Sequence, residues 1–219
     1  MSEKQVLAVD YGASGGRVML GGFDGASLTI SELHRFPNDP VKLGDTMYWD
    51  VLRLFFEMKQ GIVKSKAHGA ISGIGVDTWG VDFGLLDREG RLLDNPVHYR
   101  DGRTAGIMEK TLNMVGRDAL YELTGNQLME INTLFQLMAV KERRPELLER
   151  ADALLLMPDL FQYFLSGAKI SEKSIASTTQ MMDMRQGEWA FGLLETLGLR
   201  AGMMSDILPG ADRTGSLRP

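Results

Sequence analysis

The chain has no cysteine, so disulfides, thiolate nucleophiles and thiolate-ligated metals are excluded. It has only three histidines, and His34, His68 and His98 are scattered without the spacing of metal ligands, so no structural zinc site is expected. Long hydrophobic runs are also lacking. Ala153 to Met157 falls far short of the roughly 18 residues that a membrane-spanning helix needs. Met1 to Lys4 are polar and lead directly into an apolar run, unlike a secretion signal, so a cytoplasmic protein with no membrane partner is expected. Clustered basic charge is scarce. The net charge is −5, and the one short basic cluster, Lys141 to Arg144, reads as a solvated helix end, which argues against a nucleic-acid partner.

What remains is an ordinary globular composition. With 219 residues, 44% of them hydrophobic and 24% charged, the chain can bury a core and is expected to form one domain over residues 1–219. The 14 methionines, Met181-Met182 and Met203-Met204 among them, are expected to fill gaps in that core.

Val6 to Val9 reads as a buried strand ending at Asp10 and a glycine-containing turn. Arg17 to Phe23 and Leu28 to Phe36 read as two further strands joined at Asp24-Gly25, a favourable hairpin signal. Val51 to His68 has helical spacing, with Gly61 as a point of weakness. The apolar run Ile71 to Val76 follows that helix and is predicted to pair parallel with the first strand. Phe83 to Leu86 and Arg91 to Leu93 flank a turn and predict a small hairpin, and a helix is predicted from Arg103 to about Val115.

Three segments carry a resemblance. Asp10-Tyr11-Gly12-Ala13-Ser14-Gly15-Gly16-Arg17 resembles the first phosphate loop of the FGGY carbohydrate kinases, although a Gly/Ser turn after a strand is also an ordinary hairpin. Gly73 to Phe83, with Thr78-Trp79-Gly80-Val81-Asp82 at its centre, resembles the family's sugar-site motif in a form suited to a six-carbon ketose. Pro96 to Thr104 resembles the segment that completes the sugar pocket. Further similarity runs through Ile131 to Leu137 and Leu155 to Gly167, and on to Thr214-Gly215, so it covers essentially the whole chain.

The resemblance implies an α/β fold, a ribonuclease H-like (actin-like ATPase) domain with a mixed sheet flanked by helices. It implies ATP and Mg2+ as cofactors, a small-molecule ketose as substrate, and phosphate transfer to a ketose 1-hydroxyl. L-rhamnulose is the ketose expected, with L-fuculose, xylulose or a non-catalytic sugar-binding module as alternatives. Asp10 would hold the metal, while Gly12, Ala13, Ser14, Gly15, Gly16 and Arg17 would meet phosphate. Thr78, Trp79, Gly80, Asp82, Tyr99 and Arg100 would meet the sugar. Other roles remain open for several residues. Trp79 and Phe83 also read as core, Arg100 and Asp101 as a structural ion pair, and Asn132 and Gln136 as a helix cap or buried amide network. No short Gly/His-Asp-Thr-like motif for the family's catalytic base is present, so the base, the final strand of the sheet and the second kinase domain are expected beyond Pro219. The chain alone is accordingly expected to be inactive.

Overall fold

The computed structural model describes residues 4–210 and 212–218; the polar start at Met1 to Glu3, together with Ala211 and Pro219, lies outside the described residues. The described residues group into two compact units. The first takes the residues up to Val41 and Trp49–Trp79, and the second takes Lys42–Tyr48 and the residues from Gly80 onward. Each has its own buried apolar interior, which is the physical reason for the division.

In the first unit β1 (Lys4–Tyr11), β2 (Gly15–Phe23) and β3 (Leu28–Pro37) form the expected antiparallel meander. The turn between β2 and β3 is tied by Asp24, whose Oδ1 accepts from the N–H of Ala26 at 2.8 Å and of Ser27 at 2.7 Å. Ile71–Asp77 pairs parallel with β1, giving a mixed sheet of order β3, β2, β1, Ile71–Asp77. Helix α1 (Val51–Ser65) begins where the Asp50 carboxylate accepts from Arg53 N at 3.1 Å, a standard N-cap. It buries Val51, Leu54 and Met58, and Tyr11 at the end of β1 donates its hydroxyl to Leu54 O at 2.9 Å.

Gly61 does not interrupt α1. A Cβ there would stand 2.4 Å from Val18 Cγ2, so glycine lets the helix lie close against β2. Leu7, Val9, Val18, Leu20, Leu54 and Met58 are all buried, each side chain contributing roughly 1.5 to 3 kcal/mol to the hydrophobic term. Ile71–Asp77 is an edge strand with Gly73, Gly75 and Asp77 exposed.

In the second unit Phe83–Leu86 pairs antiparallel with Ala153–Leu156, and all eight residues are buried. This long-range partner comes in addition to the predicted local hairpin, which also forms. Arg91 to Leu93 folds back through an antiparallel Leu86–Leu92 bridge, with Asp87 N donating to Arg91 O and Leu93 N to Leu85 O, both at 2.9 Å. The helix predicted from Arg103 is corrected. Gly102–Thr104 form a separate turn, Gly106 adopts φ 75, and α2 runs only over Ile107–Val115. Then come α3 (Arg117–Thr124), α4 (Thr133–Arg143), α5 (Pro145–Arg150), α6 (Met157–Ser166), α7 (Lys173–Ser177) and α8 (Phe191–Thr196). Their apolar faces join in one core with Leu134, Phe135, Leu154, Met181, Trp189 and Leu194 buried.

Candidate functional site

The parallel register between β1 and Ile71–Asp77 pairs Asp10 with Asp77, so two carboxylate-bearing residues sit side by side at the same end of adjacent strands. Asp10 also faces Arg17 across the β1–β2 hairpin, and Arg17 Nε donates to Asp10 Oδ2 at 2.8 Å. Both side chains are partly exposed, so this pair adds less than about 1 kcal/mol.

The intervening loop is held from a distance. Asn38, which is buried, donates from Nδ2 to Gly12 O at 2.8 Å and from its backbone N to Ser14 O at 3.3 Å. Ala13 and Ser14 remain exposed at the tip. Gly16 has a packing part. It is buried, and a Cβ there would stand 2.4 Å from the Phe36 ring, so its glycine is needed for packing. Thr78 donates its hydroxyl to Trp79 O at 2.8 Å, and the Trp79 ring lies on the fully buried Trp49 with centroids 3.9 Å apart.

In the second unit the Gly80 to Asp82 segment is tightly bent. Asp82 N donates to Gly80 O at 2.9 Å, and Val81 has φ 68, a left-handed conformation costly for a β-branched residue. Thr133 Oγ1 donates to Val81 O at 2.8 Å. Asp82 requires a correction. It is 0% exposed, so its carboxylate cannot meet a sugar directly as expected. Instead Oδ1 accepts from Gln136 Nε2 at 2.8 Å and Oδ2 accepts from Tyr99 N at 3.1 Å. Asp82 therefore fixes Tyr99 relative to Gly80.

Gln136 proves to be the hub of a buried amide network. Its Nε2 also reaches Ile131 O at 2.8 Å, and its Oε1 accepts from Arg103 Nη2. Burial pushes the Arg103 guanidinium down to about 10, against the opposing fields of Asp82 and Asp101. Asn132 closes its own turn by accepting from Met129 N at 2.8 Å.

Arg100 and Asp101 do not form the ion pair weighed as an alternative. The exposed Arg100 lies over the Tyr99 ring at 5.2 Å, whereas Asp101 accepts from Met47 N at 2.8 Å and Arg103 N at 2.9 Å. His98 is buried, and desolvation, aided by Arg100, pushes it down to about 4 while Asp101 opposes the shift. It is neutral at pH 7, and its Nδ1 accepts from Arg100 N at 2.9 Å. Phe83 belongs to the core.

A cavity of about 230 Å³ lies beside this network, lined by Phe83, Leu93, Val97, Asp101, Arg103 and Arg143 among others, and by none of the six residues expected at the ketose. Gln136 was read in sequence as part of a buried amide network; residues missed are Asn38 and Arg103, and also Thr178 and Ile175. The last two face Gly80: a Cβ on Gly80 would stand 3.6 Å from Thr178 Oγ1 and 3.8 Å from Ile175 Cδ1.

For magnesium, the residues fit. Mg2+ is held by one or two carboxylates, with water and phosphate oxygens completing its shell, and Asp10 beside Asp77 supplies such a donor pair. No group of three or more His, Asp or Glu side chains among the described residues forms a self-sufficient metal cage. No helix among the described residues is long and apolar enough to cross a membrane.

Comparison with known proteins gives a consistent answer. Residues 5–219 match the model of the N-terminal domain of the FGGY family of carbohydrate kinases, a match that runs across both compact units. A rhamnulokinase of Oceanobacillus iheyensis is 40% identical over 215 residues, covering 97% of this chain and 46% of that protein. A rhamnulokinase of Pectobacterium atrosepticum is 41% identical over 214 residues, covering 96% and 43% respectively. The chain thus spans less than half the length of these relatives. Among solved structures, a xylulose kinase from Lactobacillus acidophilus superposes with a TM-score of 0.87 at 16% identity, over 98% of this chain and 44% of that one. The same fold is therefore present: an α/β, actin-like ATPase domain with a mixed sheet and flanking helices.

Proposed function

The chain belongs to the FGGY family of carbohydrate kinases, and from that premise we propose that its full-length protein transfers the γ-phosphate of ATP to the 1-hydroxyl of L-rhamnulose. The rhamnulokinase relatives support this choice of substrate. The observation that carries it is Gly80. Its backbone is not in the left-handed region, and a Cβ would make only ordinary contacts, so neither conformation nor packing in this chain demands a glycine. Space for a ligand accounts for it.

In this reading Gly12 to Ser14 and Arg17 of the first unit receive phosphate oxygens, Gly80, Tyr99 and Arg100 of the second unit meet the ketose, and Asp82 and Gln136 hold the backbone of that segment in place. Bound magnesium, held through Asp10 and Asp77, would neutralise phosphate charge. The general base is assigned to a later segment of the full-length protein.

A coupled assay of the full-length protein with ATP and Mg2+ tests this. L-rhamnulose is expected to give a kcat/KM at least about tenfold above xylulose. Equal rates on the two ketoses would overturn the substrate choice, and no turnover of any ketose would overturn the kinase reading. In the same assay Asp10→Asn is expected to lower kcat on the order of 100-fold. Its thermal midpoint should stay close to that of the parent, because the exposed Asp10–Arg17 pair adds little stability. A large loss of midpoint would instead make Asp10 a structural residue.

A further inference from the structure

We propose that Ile175 in α7 and Thr178 just after it recognise the deoxy end of the ketose, reading a methyl group beside a hydroxyl. The inference rests on the ketose-kinase reading above and specifies how that site would choose its substrate. Both residues face one point, the place where a side chain on Gly80 would begin, at 3.6 Å from Thr178 Oγ1 and 3.8 Å from Ile175 Cδ1. A polar oxygen and an apolar methyl thus border the same space from one side.

The polarity of that oxygen is set by the chain. Thr178 Oγ1 donates its hydrogen to Ile175 O at 2.8 Å, which leaves its lone pairs to accept from a hydroxyl. Ile175 can offer only dispersion contacts and repels a polar group from its Cδ1 by desolvation.

The wall is also rigid. The Glu172 carboxylate caps α7 by accepting from Ser174 N at 2.9 Å and Ile175 N at 3.1 Å. Ala176 is 0% exposed and anchors the segment in the core, while Thr178 N donates to Ile175 O at 3.1 Å. Thr178 and Ile175 themselves are half-buried, as residues that border a ligand must be. A 6-deoxyketose presents a methyl carbon bonded to a hydroxyl-bearing carbon, which matches an adjacent apolar contact and hydrogen-bond acceptor. A ketose ending in a hydroxymethyl group would place a hydroxyl against Ile175 with no partner.

The test uses the full-length protein and two ketoses that differ only at this carbon, L-rhamnulose and L-fructose. The parent is expected to prefer L-rhamnulose by about tenfold or more in kcat/KM. Ile175→Ser should lower that preference by about fivefold, and the gentler Ile175→Val, which removes only the contacting methyl, by about twofold. Thr178→Val is expected to raise KM for both ketoses by about tenfold with kcat nearly unchanged, and Thr178→Ser to restore it. Thermal midpoints identify any variant that fails to fold, and Ile175→Val and Thr178→Ser then carry the decision. A preference unchanged in the folded Ile175 variants, or a KM unchanged in Thr178→Val, overturns the inference while leaving the kinase reading intact. If the parent phosphorylates neither of these ketoses but turns over xylulose, the substrate choice and the inference fail while the kinase reading stands; if it turns over no ketose at all, the kinase reading fails too.

Discussion

Asp82→Ala is expected to destabilise the chain by about 3 to 5 kcal/mol and to lower kcat/KM of the full-length protein by on the order of 100-fold or more. The size follows from what the carboxylate holds. Fully buried, it accepts from Gln136 Nε2 and from Tyr99 N, and Arg103 on the far side of Gln136 feels its charge. Alanine would leave an amide, a backbone N–H and a desolvated guanidinium with fewer partners at once, and each loss in a water-poor interior is costly. Activity would fall because Val81 at φ 68 is held bent by Thr133 and Gln136 on its carbonyl, and Tyr99 is tied to the same carboxylate. Asp82→Asn should cost less, about 1 to 3 kcal/mol, since an amide can serve one of the two donors but turns its NH2 toward the other. Urea unfolding of the chain and steady-state kinetics of the full-length protein check both numbers. Near-parental stability in Asp82→Ala would show that the network is not cooperative.

Asp159→Asn is expected to stabilise the chain at neutral pH. Asp159 is 0% exposed; its Oδ1 accepts from Glu172 N at 3.1 Å, and its Oδ2 has no hydrogen-bond partner among the described residues. Burial raises its carboxyl from 3.8 to about 7, with the nearby Glu172 charge adding to the rise and the Glu172 N–H opposing it. The folded state therefore binds this proton more tightly than the unfolded chain does. Below pH 4 both states are protonated and nothing is lost. Between about pH 4 and 7 the unfolded state ionises first, so stability falls as pH rises and levels off above 7, by on the order of 4 kcal/mol at most.

His98 acts in the opposite sense. Its folded value near 4 lies below the unfolded 6.5, so it adds stability as pH rises through that interval. The informative quantity is therefore the difference in urea midpoint between Asp159→Asn and the parent. It should be near zero at pH 4, grow up to pH 7 and stay constant to pH 8.5. A difference that does not change with pH would contradict the buried, protonated carboxyl.

The parts of the fold legible in the sequence are those set by neighbours in the chain. Asp24-Gly25 specified its hairpin because the turn is closed by Asp24 itself, and the apolar run Val6 to Val9 marked a strand, which extends over Lys4–Tyr11. The parts that were not legible depend on distant partners. Phe83–Leu86 does form the local hairpin with Arg91 to Leu93, but its longer pairing, with Ala153–Leu156, could not be read from its neighbours. Gly61 looked like a weakness in α1 until Val18 on β2 was seen to occupy the space beside it.

The site divides in the same way. The composition of the Gly12 to Arg17 loop announces itself, whereas the Asn38 that holds it lies 26 residues from Gly12. Asp82 looked like a sugar ligand because carboxylates are common ones, and only its burial against Gln136, 54 residues away, makes it a positioning residue. Thr178 and Ile175 sit in an unremarkable polar and apolar stretch, and nothing local points them toward Gly80.

The most direct test of the whole account is a crystal structure of the full-length protein with L-rhamnulose. The ketose is expected within hydrogen-bond reach of the Gly80 backbone, with Tyr99 alongside and Asp82 still buried beneath. A sugar bound elsewhere, with the space beside Gly80 empty or closed, would contradict it.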